Sequence, residues 1–181
     1  MGFELNILDW FQTLHMPMMD KLMTSVTKLG NAGIFWIILT LIFLIIPKMR
    51  KTGVTMAAAL IVDLLLCNVL LKNLVARTRP YDVNTTVELL VAKLRDYSFP
   101  SGHTAASFAS VAALYFAGEK KLWKPALVLA CLIAVSRLYL YVHYPTDVLG
   151  GVVIGIIAGY LGYRLVKVLE DKFSRMKNGG E

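Results

Sequence analysis

Charged side chains are scarce in this chain. They make up 17% of it, where a soluble domain carries about a quarter, and hydrophobic residues fill 57%. That balance excludes an ordinary water-soluble domain. Cysteine is nearly missing as well: Cys67 and Cys131 are the only two. Both stand inside apolar runs, without the spacing of a thiolate metal site or a disulfide framework, and both read as small buried hydrophobes. The N-terminus has no basic stretch ahead of an apolar one. It carries Glu4 and Asp9 instead, so a cleaved signal peptide is not expected there. Fold-scale repeats, low-complexity tracts and a compositional boundary are also missing, so a single domain is expected over residues 1–181.

What the sequence does have is apolar runs in blocks. The expected fold class is all-α: an integral membrane bundle of about five transmembrane helices plus an N-terminal interfacial helix. The spans are read as 31–46, 54–72, 101–117, 125–142 and 146–165, near the ~20 residues a bilayer asks for. Leu5, Leu8, Trp10, Phe11, Leu14, Met18 and Leu22 recur at helical spacing beside polar residues, as in a helix lying in the interface and broken at Pro17. Gly151, Gly155 and Gly159 recur every fourth residue, which lets a neighbouring helix approach closely.

The net charge of +7 could suggest nucleic acid, but its distribution does not. Basic residues punctuate the runs at Lys48, Arg50 and Lys51, at Lys120, Lys121 and Lys124, and from Arg164 to Lys177. They read as cytoplasmic topology signals, which puts residues 73–100 and 141–147 on the outer side of a plasma membrane. Within 77–100, Val87, Leu90, Val91 and Leu94 suggest a short amphipathic helix and Tyr97 and Phe99 an interfacial anchor. That segment reads as a lid or as a plain interfacial helix. Asp63, midway through the second span, is expected to be buried against a partner helix, hydrogen-bonded or protonated. It lies about 13 Å along the axis from Lys72, too far to touch a ligand there.

Three clusters fall on the outer side. The first is Ser136-Arg137 with His143 and Asp147, ionisable groups at a membrane edge where each is costly. Arg137 is about 9 Å from His143 if the segment is helical. Asp147, in the first turn of the last span, can accept one imidazole N–H and leave the other nitrogen as a nucleophile. A structural Arg–Asp pair beside an interfacial histidine is the plainer reading. Lys72 and Arg79 stand seven residues apart, two helical turns on one face; as a pair they are also what snorkelling cations look like. Pro100-Ser101-Gly102-His103 opens the third span. Its helix N-terminus suits an anion, Gly102 admits close approach, and His103 sits where it can hand over a proton; alone it reads as a helix cap. Together, three strong cations, a helix N-terminus, two histidines and one carboxylate suit a phosphate dianion.

In order and internal spacing, Lys72-x6-Arg79-Pro80, Pro100-Ser101-Gly102-His103 and Ser136-Arg137-x5-His143-x3-Asp147 resemble the three signature motifs of the type 2 phosphatidic acid phosphatase family, over roughly residues 50–165. The resemblance implies a metal-independent membrane phosphatase with no cofactor, acting on a lipid phosphate. His143 would attack phosphorus and carry a phosphohistidine, Asp147 would orient it, and His103 would protonate the leaving oxygen and later activate water. Lys72, Arg79, Ser101, Gly102 and Arg137 would hold the phosphoryl oxygens. Undecaprenyl diphosphate is the expected substrate, with phosphatidate or phosphatidylglycerophosphate behind it. A non-enzymatic lipid-phosphate binder or transporter is the alternative of another class; binding alone would need only the cations.

Overall fold

The computed structural model describes residues 2–178; the outermost positions of the single domain expected over 1–181 lie outside the described residues. The described chain is helical and has no strand. In order it forms α1 (Gly2–Gln12), α2 (Pro17–Leu29), α3 (Ile34–Ile45), α4 (Arg50–Asp63), a π-helical stretch (Leu64–Leu71) running into α5 (Lys72–Val75), α6 (Pro80–Val83), α7 (Gly102–Phe116), α8 (Trp123–Tyr139) and α9 (Pro145–Asn178). Helix occupies each of the five expected spans. Pro47–Val83 and Pro145–Met176 have the length and apolarity to cross a bilayer, and Pro17–Leu29 with Asn31–Ile45 makes a third such segment, bent by 45°. α7 and α8 have 15 and 17 residues, short of the ~20 that a straight crossing asks for.

α7 is the centre. Its small side chains, Ala105, Ser107, Ala109, Ser110, Ala112 and Ala113, are all buried, so neighbouring backbones come close. The glycine stripe of α9 packs there as its spacing suggests. A Cβ on Gly151 would lie 2.7 Å from Ser101 O, one on Gly155 2.4 Å from Ala105 O, and one on Gly159 2.5 Å from Ala112 Cβ. The outer faces are apolar instead of polar: Ile37, Ile38, Leu41, Leu132, Val153 and Ile157 are exposed. A soluble protein does not show such a surface; a membrane protein does. The same reversal corrects the reading of Cys131, which is exposed while Cys67 is buried. In a bilayer the outside of a helix is as apolar as the inside, so an apolar run does not tell the two apart.

Three local features position the site. Nine residues make two and a half α-helical turns, which would set Asp63 and Lys72 on opposite faces. The π stretch between them winds in wider, i→i+5 turns, and both side chains line one cavity. Asp63 is buried as expected, but its Oδ1 has no hydrogen-bond partner among the described residues. Between α2 and α3, Ala32 and Gly33 are both left-handed, with φ of 50° and 67°, and the chain bends there. The expected amphipathic helix around 87–94 does not form. Val87, Leu89 and Val91 are half-buried and the residues between them exposed, the two-residue period of extended chain. The Tyr81 hydroxyl, donating to Leu94 O at 2.9 Å and accepting from Leu94 N at 3.0 Å, fastens this strap. An eight-residue helix is marginal by itself, and a packed extended strap outcompetes it.

Candidate active site

His143 follows α8 in a tight connection made by Leu140–Tyr144. Tyr141 there is left-handed, with φ of 58°, which folds the chain back so that Pro145 can start α9. His143 is 1% exposed. Asp147, in the first turn of α9, is fully buried, and its Oδ2 lies 3.6 Å from His143 Nδ1. That contact is longer than a hydrogen bond, and His143 Nδ1 has no hydrogen-bond partner among the described residues. Asp147 is itself held from several sides. Oδ2 accepts from Ser98 Oγ at 2.5 Å and from the Tyr144 N–H at 2.9 Å, and Oδ1 accepts from Arg77 Nη1 at 2.6 Å. Burial pushes His143 below the ordinary imidazole range, and Arg137 and Arg79 add to this against the pull of Asp147.

Arg79 reaches His143 from the other side. Its backbone is extended just before Pro80, with φ −76° and ψ 153°, as the residue preceding a proline should be. Its Nη1 donates to Val142 O at 2.7 Å and lies 3.3 Å from His143 Nε2. Lys72 and Arg79 do converge, and what joins them is Asp96: Arg79 Nη2 donates to Asp96 Oδ1 at 2.7 Å, and Lys72 Nζ pairs with Asp96 Oδ2. Burial draws the Asp96 carboxyl upward, but Lys72 and Arg79 outweigh it and hold the group at about 2.

Ser101 caps α7 and is buried, its N–H bonded to Asp147 O at 3.0 Å, which ties the start of α7 to the start of α9. No side chain caps the first turn of α7, so its N–H groups remain for an anion. A Cβ on Gly102 would stand 3.8 Å from Lys72 Nζ and 3.0 Å from Asn68 Oδ1; the glycine is where the lysine meets the helix N-terminus. His103, next in sequence, is fixed by its Nε2 at 2.9 Å from Asn31 Oδ1. A Cβ on Gly30 would lie 2.7 Å from the His103 ring, so the bend between α2 and α3 is shaped around this histidine. Arg137, on α8, is 2% exposed. It donates through Nη1 to the Thr27 hydroxyl, while Nε has no hydrogen-bond partner and no carboxylate pairs with it among the described residues. A buried guanidinium so placed is expensive unless an anion comes to it.

Lys72, Arg79, Arg137, Ser101, Gly102, His103, His143 and Asp147 thus lie around one end of the bundle. A cavity of about 620 Å³ opens beside them, with Lys72, Asp96 and His103 at its polar end and Ile37, Leu41 and Leu60 farther along.

The sequence reading assigned nothing to Arg77, Ser98, Asp96 or Asn31. It also gave the N-terminal helix little part. Glu4 of α1 pairs with Arg77 Nη2 at 2.6 Å and accepts from the Thr146 hydroxyl at 2.6 Å. Asp9 accepts from Tyr141 OH at 2.8 Å, Asp20 of α2 from Tyr139 OH at 2.6 Å. The first two helices therefore brace the connection that carries His143.

Comparison with known proteins gives a consistent picture. A family model described as the PAP2 superfamily matches residues 51–171. An undecaprenyl-diphosphatase of Sulfolobus acidocaldarius is 29% identical over 164 residues, which cover 91% of this chain and 79% of that protein. Among solved structures, Aquifex aeolicus LpxE superimposes with a TM-score of 0.78 at 27% identity, covering 90% of this chain and 95% of that one. A transmembrane PAP2-type phosphatidylglycerolphosphate phosphatase of Bacillus subtilis gives 0.73 at 28% identity, covering 94% and 86%.

Proposed function

The chain belongs to the PAP2 superfamily and is a lipid phosphate phosphatase of that type, and from this premise we propose that it converts undecaprenyl diphosphate to undecaprenyl phosphate through a phosphohistidine on His143. In this reading the helices cross the membrane five times and the site faces the extracytoplasmic side, opposite the basic clusters. His143 Nε2 attacks the terminal phosphorus; the bond to the bridging oxygen breaks, and undecaprenyl phosphate leaves with the electron pair. His103 gives a proton to the leaving oxygen where the leaving group needs one. It then takes one from water, whose oxygen attacks phosphorus and breaks the P–N bond, releasing inorganic phosphate. Asp147 holds the Nδ1 proton of His143 and stabilises the charge that grows on the ring. Lys72, Arg79, Arg137, Ser101 and the Gly102 N–H hold the phosphoryl oxygens, where donors fixed in advance stabilise the transition state most. No divalent metal enters any step.

The observation that carries this is Arg137: a buried guanidinium whose Nε has no hydrogen-bond partner and which has no carboxylate partner among the described residues, on the helix that leads into a buried histidine held below the ordinary imidazole range. An anion that reacts with the histidine answers both features. The apolar cavity beside Lys72 and His103 has the chemistry a prenyl chain requires. The Sulfolobus relative's name supports the diphosphate substrate, and the Bacillus neighbour's name favours a phosphatidylglycerophosphate as the second reading. The test is phosphate release by the purified protein in EDTA from undecaprenyl diphosphate, phosphatidylglycerophosphate and phosphatidate. The expected result is turnover without added metal, highest kcat/KM on the diphosphate, and an acid-labile phosphoprotein absent from His143→Ala. Activity lost in EDTA and restored by Mg²⁺, or binding without release, would overturn it.

A further inference from the structure

We propose that Asp96 is an internal competitor for the phosphoryl site: its carboxylate holds the cations that the phosphoryl group must take, and binding requires that it swing away. The inference rests on the site assignment above. It follows from counting donors on Arg79. A guanidinium has five N–H groups and no acceptor, and all five are engaged: Nε with Asp96 O, Nη1 with Val142 O and His143 Nε2, Nη2 with Asp96 Oδ1 and Tyr97 O. A phosphoryl oxygen therefore finds no free N–H on Arg79 until one of these partners gives way.

Only one of them is placed to do so at little cost. Three are main-chain carbonyls, and His143 is buried. The main chain around Asp96 is pinned as well, since Ser98 N donates to Arg77 O at 2.8 Å while Arg79 grips the Asp96 and Tyr97 carbonyls. The Asp96 side chain, by contrast, is 49% exposed while that of Arg79 is 2% exposed. Rotating one short side chain frees a donor on Arg79 and the ammonium of Lys72 together, without moving the strap. A carboxylate and a phosphoryl group compete for the same donors, so Asp96 keeps the cations paired between turnovers and assists departure of the phosphate product. Apparent affinity for any phosphoryl ligand is then reduced by the fraction of time the carboxylate is in place.

Orthovanadate and inorganic phosphate are suitable probes, because they use the phosphoryl site without the lipid tail. Inhibition constants for both would be measured on the full chain in detergent, with the diphosphate as substrate, for wild type, Asp96→Asn and Asp96→Ala. Both variants should bind each anion more tightly, by about tenfold or more, the size expected when a charge-assisted contact must break first, and KM should fall with them. Unchanged or weaker inhibition in either folded variant would overturn the proposal and make Asp96 an organiser of the two cations. Using two variants means that the outcome does not depend on one protein folding. A wild-type protein that neither turns over a lipid phosphate nor is inhibited by vanadate would sink the site assignment itself. Normal wild-type inhibition with no gain in the variants would sink only the role of Asp96.

Discussion

Arg79 Nη1 lies 3.3 Å from His143 Nε2, and the contact suits one tautomer of the ring. A guanidinium only donates, so it pairs with an unprotonated Nε2, the tautomer whose Nδ1 proton faces Asp147 Oδ2 at 3.6 Å. The lone pair on Nε2 thus points to the side where Lys72 and Arg79 meet. One arginine both suits that tautomer of the proposed nucleophile and offers the cation beside it.

Lysine at this position cannot reproduce that geometry, because its single ammonium lacks the fork that reaches His143, the Asp96 carboxylate and three main-chain carbonyls at once. Arg79→Lys should lower kcat/KM by about 10²–10³, the scale of losing one fixed donor to a developing oxyanion. Phosphate-release kinetics on the diphosphate measure it. A loss of less than tenfold would remove Arg79 from the mechanism.

Arg77 acts one step farther back. It donates to Asp147 Oδ1, pairs with Glu4, and its guanidinium carbon lies 3.9 Å from the centroid of the Tyr144 ring. It is a positioning residue, so Arg77→Ala should lower kcat by about 10-fold or more while KM changes little, because Asp147 loses its orientation and no ligand contact is removed. Glu4→Gln should show a weaker version of the same split, together with a lower Tm. A change confined to Tm in both variants would mean that the N-terminal brace is structural only.

Much of this arrangement could be read from sequence, and what could not has a physical reason. Periodicity and apolar length located the helices, and the motif spacing picked out eight residues that the fold gathers at one end of the bundle. Gly151, Gly155 and Gly159 announced a close helix approach, but not that its partner is α7. Asp96 was invisible: a carboxylate in a polar loop reads as solvated, and nothing local indicates that two buried cations stand over it. Arg77 and Arg79 are two residues apart in the link between α5 and α6, and they serve opposite sides of His143. The partnership of Glu4 with Thr146 spans 142 residues. The strap at 87–94 shows the limit of periodicity, since its apolar positions fit a helix and an extended chain equally well.

The glycine contact makes a prediction of its own. A methyl group on Gly155 would meet Ala105 O at 2.4 Å, and one on Gly151 would meet Ser101 O at 2.7 Å; backbone atoms cannot swing aside. Each Gly→Ala change should destabilise the fold by about 1–3 kcal/mol, as overpacking does. Gly151→Ala should also cut kcat, because Ser101 N bonds to Asp147 O and pushing α9 from α7 separates the helix N-terminus from the proposed nucleophile. Equal kcat in the two variants would break that link.

The pH profile follows from the burial of His143. Protonation of Nε2 would remove the nucleophile, and burial holds the ring below its ordinary value of about 6.5. The acid limb of kcat/KM on the diphosphate should therefore lie below pH ~6.5. Stability shares the sign: the folded state binds fewer protons than the unfolded chain, so this contribution is full above about pH 6.5 and is lost as pH falls toward the depressed value. Tm measured in the same buffers should decline over that range. An acid limb centred at or above 6.5 would show that His143 is not the group being titrated, or not the nucleophile.

The two histidines are held differently, and that separates their roles experimentally. His143 is enclosed by Arg79 and Asp147, whereas His103 is fixed through Nε2 to Asn31 beside the cavity, leaving Nδ1 to exchange a proton. If His143 is the nucleophile, its loss abolishes turnover of every substrate. If His103 is the general acid, its importance depends on the leaving group. A lipid monoester must expel an alkoxide, which leaves poorly without a proton. A lipid diphosphate expels a phosphate monoester, a far weaker base that needs little help. General acid catalysis contributes about 10²–10⁴-fold where it is required. His103→Ala should therefore lose much more kcat/KM on phosphatidate than on undecaprenyl or farnesyl diphosphate. Any shared loss of phosphoryl binding cancels in the ratio of the two. Equal losses on both classes would make His103 a phosphate-positioning residue, and the proton would have to come from elsewhere.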